Sequence, residues 1–228
     1  MKIHNVEQGT PEWKRLRAGI PTASCWHKIV TPAKLQPSKS QTDYMYTLLA
    51  ERYIGEPIDD ANSGFMQRGR EFEAAMFAAY NEYLYGVGSD DVATRVGFVT
   101  SDDGRVGVSP DRLVGERGYA EGKVPAAHTH MKYLCEPEAL REEYIGQVQW
   151  GLWVTERDWA DLVSWHPTIP LVVVRIERDE DYIGKLSKEV REFCHRLEAK
   201  WSMVQSKHGE MIDRLTVGTD LDPFSLEE

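Results

Sequence analysis

Long apolar runs are missing from this chain. No stretch approaches the roughly 20 residues of a membrane-spanning helix, and Met1 to Pro11 carry none of the apolar segment of a signal peptide. Cysteine is scarce: Cys25, Cys135 and Cys194 are odd in number, widely spaced and without a CxxC pair. That argues against a zinc knuckle or an iron–sulfur cluster and reads as the reduced thiols of a cytoplasmic protein. His4, His27, His128, His130, His166, His195 and His208 form no pair at metal-ligand spacing, and no phosphate-binding glycine loop with lysine is present. An excess of base is missing as well. The net charge is −10, the reverse of the usual nucleic-acid binder.

The charge is unevenly spread. Residues 1–50 carry seven bases (Lys2, Lys14, Arg15, Arg17, Lys28, Lys34, Lys39) against Glu7, Glu12 and Asp43, whereas residues 209–228 carry only Arg214 against six acids. A basic groove on an acidic body is compatible with DNA, and so is an ordinary acidic enzyme; charge does not separate them. At 228 residues, 41% hydrophobic and with seven tryptophans, the chain has ample material for a folded core.

Thr10-Pro11-Glu12 opens a helical segment with an N-cap, a first-turn proline and an early carboxylate. Pro21 interrupts it, and Thr22-Ala23-Ser24 can cap a second helix reaching Val30. Thr31–Thr42 reads as an exposed, mobile loop, followed by helices over Asp43–Ile54 and Phe65–Leu84. From Asp91 short β-type runs take over, with strands expected at Thr94–Thr100, Arg105–Leu113 and Tyr119–Val124, joined by Gly-containing turns. A mobile stretch at Pro125–Tyr133 leads to a helix at Pro137–Thr155, strands at Trp159–Trp165 and Leu171–Glu177, and a long amphipathic helix at Asp179–Gln205. The pattern is α/β (α+β): one domain over residues 1–206, a central mixed, antiparallel-rich sheet flanked by helices, and an acidic C-terminal tail or arm over residues 207–228.

Chemistry concentrates in Ser109-Pro110-Asp111 and Glu121-Gly122-Lys123. Along a strand Glu121 and Lys123 share a face while Gly122 points away, and Ser109 and Asp111 likewise share a face. Two carboxylates suit a hard cation such as Mg²⁺, which takes about six oxygens at about 2.1 Å and keeps several waters. The Gly122 carbonyl offers a further oxygen. Lys123 can orient or deprotonate the attacking water or offset charge on a phosphate. The bland alternative is a turn-closing Asp111 with a solvated Glu121–Lys123 pair. Glu73 lies in one helical column with Phe77, Tyr80 and Leu84, so its carboxylate on an apolar stripe needs a partner: a metal centre, or Arg70 or another base. Trp150, Trp153, Trp159 and Trp165 read as core rather than base-stacking platforms.

Trp13 to Ser24, Gly69-Arg70-Glu71-Phe72-Glu73, Ser109-Pro110-Asp111, Glu121-Gly122-Lys123 and Gln147-Val148-Gln149-Trp150 follow one another in an order and spacing that resembles the lambda-exonuclease family. That family is the phage-recombination, alkaline-exonuclease branch of the PD-(D/E)xK nuclease superfamily, and the likeness runs from about residue 6 to about residue 200. It implies the restriction-endonuclease-like PD-(D/E)xK core and a Mg²⁺-dependent 5′→3′ exonuclease, with Mn²⁺ as a substitute and two ions per site. It also implies entry at 5′-phosphorylated ends of double-stranded DNA, a homotrimeric ring and 3′ overhangs passed to a single-strand annealing recombinase. By motif, Asp111, Glu121, the Gly122 carbonyl and Glu73 would be the metal residues, Lys123 the catalytic lysine, and Arg17, Ser24 and Ser109 the 5′-phosphate pocket. Gln147 and Gln149 compete for one role in positioning the water or the lysine. Gln149 is favoured, since it shares an inward stripe with Ile145, Leu152 and Trp153. The chain departs from the family at Gly122, usually aliphatic, where a missing side chain should loosen the strand. A structure-specific or restriction-type endonuclease of the same fold and a weakly active DNA-end-binding module are the alternatives.

Overall fold

A computed structural model describes residues 1–58 and 64–217, with side chains described for residues 1–58 and 71–207. In chain order the elements are β1 (Lys2–His4), α1 (Pro11–Arg17), a 3-10 turn (Ala23–Cys25), α2 (Trp26–Ile29), α3 (Gln41–Ile54) and α4 (Gly64–Gly86). Then come β2 (Ala93–Thr94), β3 (Phe98–Thr100), β4 (Gly107–Val108), β5 (Arg112–Val114) and β6 (Gly118–Lys123). The chain continues with α5 (Ala127–Cys135), α6 (Pro137–Thr155), β7 (Trp159–His166), β8 (Ile169–Glu177) and α7 (Glu180–Val217).

The central sheet has the order β2-β5-β6-β7-β8; β6 and β7 run parallel and the other pairs antiparallel. A parallel pair needs a crossover of a dozen or more residues, and α5 with α6 provides it. A second antiparallel sheet, β1-β3-β4, stands beside the first. Period-2 alternation in β8 sends Leu171 and Val173 to one face and Val172, Val174 and Ile176 to the other. On the first face Met76, Phe77, Tyr80 and Leu84 of α4 meet Val114, Ala120 and Val163. On the opposite face Leu140, Val148, Trp150 and Leu152 of α6 join Leu186, Val190 and Phe193 of α7. Fully buried side chains such as Tyr80 and Trp150 contribute roughly 2–3 kcal/mol each by burial.

Several expected boundaries shift, each for a local reason. The Thr10 hydroxyl caps α1 by accepting from Trp13 N at 3.3 Å, as Thr10-Pro11-Glu12 suggests. The helix nonetheless ends at Arg17, because Gly19 is left-handed (φ 69) and donates its N–H to the buried Glu51 carboxylate at 2.9 Å. The single strand expected over Arg105–Leu113 is two, β4 and β5, broken at Ser109-Pro110-Asp111, since Pro110 has no N–H for a ladder. Thr94–Thr100 likewise divides between the two sheets as β2 and β3. The stretch expected to be mobile at Pro125–Tyr133 contains α5, docked by His130, whose ring bonds Ser164 Oγ at 2.7 Å and the Pro170 carbonyl at 3.0 Å. The last helix continues through Val217, beyond residue 206; residues 218–228, half of the expected acidic arm, lie outside the described residues.

Candidate active site

The β5–β6 hairpin carries the two acids. Its register sets Arg112 against Ala120, which puts Asp111 at the mouth of the hairpin beside the end of β6. Asp111 Oδ2 accepts the Gly122 N–H at 2.7 Å. Glu121 and Lys123 do project together, with Lys123 Nζ donating to Glu121 Oε1 at 2.9 Å. Ser109 and Asp111, by contrast, are not alternate residues of one strand, because the break at Pro110 separates them.

Gln147 completes the group. Its Nε2 donates to Glu121 Oε1 at 2.6 Å, and its Oε1 accepts from Lys123 Nζ at 3.3 Å. Gln149, the glutamine favoured from the sequence, lies elsewhere. It is buried, donating to the Glu177 carbonyl at 2.8 Å and accepting Asp179 N at 3.0 Å, so it ties β8 to the start of α7. The inward stripe misleads because α6 is buried on almost every side from Gly146 onward. Facing inward therefore does not mean facing the acids.

Glu73 is also placed differently from the expectation of a metal acid. Its Oε1 accepts Arg112 Nη1 at 2.6 Å and Arg95 Nη2 at 3.3 Å. Bases from the sheet thus satisfy the carboxylate on the apolar stripe; the Arg70 side chain lies outside the described residues. No group of three or more His, Cys, Asp or Glu side chains is arranged to hold a metal ion among the described residues.

Electrostatics mark the acids as a strained pair. Burial, and after it the Glu121 carboxylate, push Asp111 up to about 7, against the pull of Lys123 and the Gly122 N–H. Burial alone would lower the Lys123 ammonium, but the Glu121 and Asp111 carboxylates outweigh it and raise it. Each acid also keeps one oxygen, Asp111 Oδ1 and Glu121 Oε2, without a hydrogen bond among the described residues. Two hard oxygens on adjacent carboxylates fit a divalent cation, whose charge would offset both the burial and the Glu121 carboxylate that raise Asp111.

The residues expected to bind phosphate are linked by contacts through Trp13 and Thr22 that end at Ser109, two residues before Asp111. The Arg17 guanidinium stacks on Trp13 (4.3 Å to the ring centroid) and donates to Thr22 Oγ1 at 3.5 Å; Thr22 in turn lies 3.4 Å from Ser24 Oγ. Trp13 Nε1 donates to Ser109 Oγ at 3.2 Å. Thr22 bridges Gly107 in β4, and Gly107 N donates to the Pro21 carbonyl at 3.0 Å, which seats this segment next to the strand entering Ser109-Pro110-Asp111.

Four residues not singled out from the sequence support the site. Tyr144 places its ring 4.4 Å from Lys123 Nζ. Arg112 ties Glu73 to the Asp111 carbonyl. Gln8 Nε2 donates to the Pro110 carbonyl at 3.1 Å. Arg157, buried, donates Nη1 to the carbonyls of Val114, Gly115 and Gly118 and so closes the turn of the hairpin. Only Tyr144 and Arg112 leave a sequence trace, one by lying a helical turn before Gln147 and the other by following Asp111; Gln8 and Arg157 act through main-chain carbonyls, which no pattern of side chains encodes.

Gly122 has a structural account. A Cβ there would stand 2.1 Å from Met76 Cε and 2.8 Å from its sulfur. Met76 fills the space that a side chain at 122 would occupy, so the strand is packed rather than loosened.

Comparison with known proteins bears on this arrangement. Residues 12–158 match the YqaJ-like viral recombinase domain. The alkaline exonuclease LHK-Exo of Laribacter hongkongensis is 32% identical and superposes with a TM-score of 0.74, over 89% of this chain and 100% of that one. The same enzyme in complex with dAMP gives 0.74 at 31% identity over the same shares. An uncharacterized protein of Escherichia coli (strain K12), ExoD, is 30% identical over 76 residues, 32% of this chain and 87% of that one. With its mixed sheet flanked by helices and the Asp111, Glu121, Lys123 hairpin at one end, this chain has the PD-(D/E)xK nuclease fold and belongs to the YqaJ-like viral recombinase family.

Proposed function

We propose that this chain is a Mg²⁺-dependent 5′→3′ exonuclease that starts at 5′-phosphorylated ends of double-stranded DNA and leaves 3′ single strands for recombination by annealing. The observation that carries the reading is the convergence of Asp111, Glu121, Lys123 and Gln147 at the mouth of one hairpin. Family membership supports a deoxyribonuclease. LHK-Exo binds dAMP, a deoxynucleoside monophosphate, which is the class of product an exonuclease releases.

Asp111 and Glu121 would hold Mg²⁺ or Mn²⁺ with the Gly122 carbonyl beside them. Such an ion supplies a Lewis acid for the phosphoryl oxygens and a lowered pKa for water. Two ions would need donors beyond these residues, because Glu73 is engaged by arginines; oxygens of the scissile phosphate are the natural source. Lys123, beside Glu121 and Gln147, would orient the attacking water and offset charge on the phosphate. Gln147 bridges Lys123 and Glu121 and fixes both. Arg17, Thr22, Ser24 and Ser109 would grip the terminal 5′-phosphate, a contact that positions the duplex without reading its bases. A homotrimeric ring around the duplex and an annealing recombinase as the recipient of the overhang follow from the family resemblance, and a cytoplasmic setting from the few, unpaired cysteines. No helix among the described residues is long and apolar enough to cross a membrane.

The test compares linear duplex with a covalently closed circle, each with Mg²⁺ or with EDTA. Loss of the linear duplex alone, abolished by EDTA, is expected; cutting of the circle would instead establish an endonuclease.

A further inference from the structure

Arg112 follows Asp111 directly and is buried, 6% exposed. Its Nη1 donates to the Asp111 carbonyl at 2.5 Å and to Glu73 Oε1 at 2.6 Å, and its Cζ lies 4.2 Å from the centre of the Phe77 ring. A guanidinium taken out of water is costly unless charge and hydrogen bonds compensate it. Here the compensation comes from one carboxylate, one carbonyl and one aromatic face. Glu73 and Phe77 both belong to α4, while the carbonyl belongs to the residue that carries the first acid. One side chain thus fastens the main chain at Asp111 to the helix across the sheet.

Asp111 needs such a fastening. It sits in the gap between β4 and β5, where Pro110 has no N–H to give a ladder, so the sheet does not hold it on both sides. Among the described residues its carboxylate has a single hydrogen bond, from Gly122 N, leaving rotation about the Asp111 backbone to be fixed by other means. Gln8 holds the Pro110 carbonyl from one side and Arg112 the Asp111 carbonyl from the other.

We propose that Arg112 is a positioning residue for the metal-binding acid: it locks the backbone of Asp111 against α4 so that Oδ1 is aimed at the cation, and Glu73 serves as its counter-ion rather than as a ligand. This rests on the reading of Asp111 as a divalent-metal ligand. A purely architectural Arg112 would change stability and leave metal affinity alone. Groups that orient ligands from behind typically change affinity by about 10- to 100-fold.

The experiment is calorimetric titration of Mn²⁺ into the DNA-free protein, for wild type, Arg112→Lys, Arg112→Met, Glu73→Gln and the Arg112→Met/Glu73→Gln double variant, with thermal melts alongside. Arg112→Met is expected to weaken Mn²⁺ binding about tenfold or more. Arg112→Lys should recover part of the loss, since an ammonium can reach the carbonyl without the fork. Glu73→Gln should cost a few-fold at most and add nothing in the Arg112→Met background. Wild-type affinity in Arg112→Met overturns the proposal, as does a Glu73→Gln loss of equal size in both backgrounds, which would make Glu73 a ligand. If Arg112→Met does not fold, Arg112→Lys decides: a clear weakening supports the positioning role and unchanged affinity overturns it. Wild-type protein that binds no Mn²⁺ removes the metal reading and this inference with it, an outcome distinct from wild type and Arg112 variants binding alike.

Discussion

At Asp111 the surroundings of one carboxylate turn into a measurable pH dependence. Burial and the Glu121 carboxylate hold it at about 7 in the folded, metal-free protein, against about 3.9 in an unfolded chain. Between those values the native state binds more protons than the unfolded state, so stability falls as pH rises. The contribution is fully present below about pH 4 and lost above about 7. In EDTA, Asp111→Asn should therefore melt at nearly the same temperature as wild type at pH 4 and progressively above it toward pH 7; a constant difference would contradict the raised value. Mg²⁺ should reverse the wild-type loss, because the cation replaces the proton between the two acids. The two glutamines give a second contrast. Gln147→Ala should lower kcat about 100-fold with little change in melting temperature, the scale expected for one lost oriented donor. Gln149→Ala should do the opposite, costing about 1–3 kcal/mol of stability by leaving the Asp179 N–H and the Glu177 carbonyl unpaired, with kcat nearly unchanged. Steady-state kinetics with thermal melts separate the two. Glu121 and Lys123 were legible as a pair because strand alternation is local, whereas the choice between Gln147 and Gln149 depends on which side of a fully wrapped helix meets the acids, which is a tertiary fact.

At the scale of elements, β6 and α4 are fitted through a glycine and a methionine. Gly122→Val should collide with Met76 and destabilise by about 1–3 kcal/mol, the usual cost of overpacking, and Met76→Ala in the same chain should restore much of it. If Gly122→Val melts like wild type, the packing account of Gly122 is wrong. Long periodic elements were readable: the column Phe77, Tyr80, Leu84 does face the sheet, and α3, α6, β7 and β8 lie where their patterns put them. Short ones were not. An Arg105–Leu113 run rich in strand formers is cut at Pro110, because a ladder needs N–H groups that proline lacks, and α5 forms where His130 finds Ser164 and Pro170, partners distant in sequence. The strand break bears on the proposed site. It releases Asp111 from the sheet and makes its position depend on Gln8, Gly122 and Arg112.

For the whole molecule, an acidic chain that handles DNA is reconciled by where its bases lie. Arg17 contacts Thr22, and Thr22 bridges Gly107 in the strand that runs into Ser109 and Asp111, so this base of the N-terminal quarter is tied to the segment that carries the first acid. Phosphate held at one end and a cation held at the other would fix the distance from the 5′ terminus to the bond cut, which is how a site without base contacts can act on ends alone. That relation between end and scissile bond is the central claim. The most direct measurement is digestion in Mg²⁺ of a blunt linear duplex bearing a 5′-phosphate on one strand only, with each strand separately labelled. Loss of the phosphorylated strand with the other left intact, and slowed by Arg17→Ala, is the expected result. Equal degradation of both strands, or indifference to the phosphate, would contradict it.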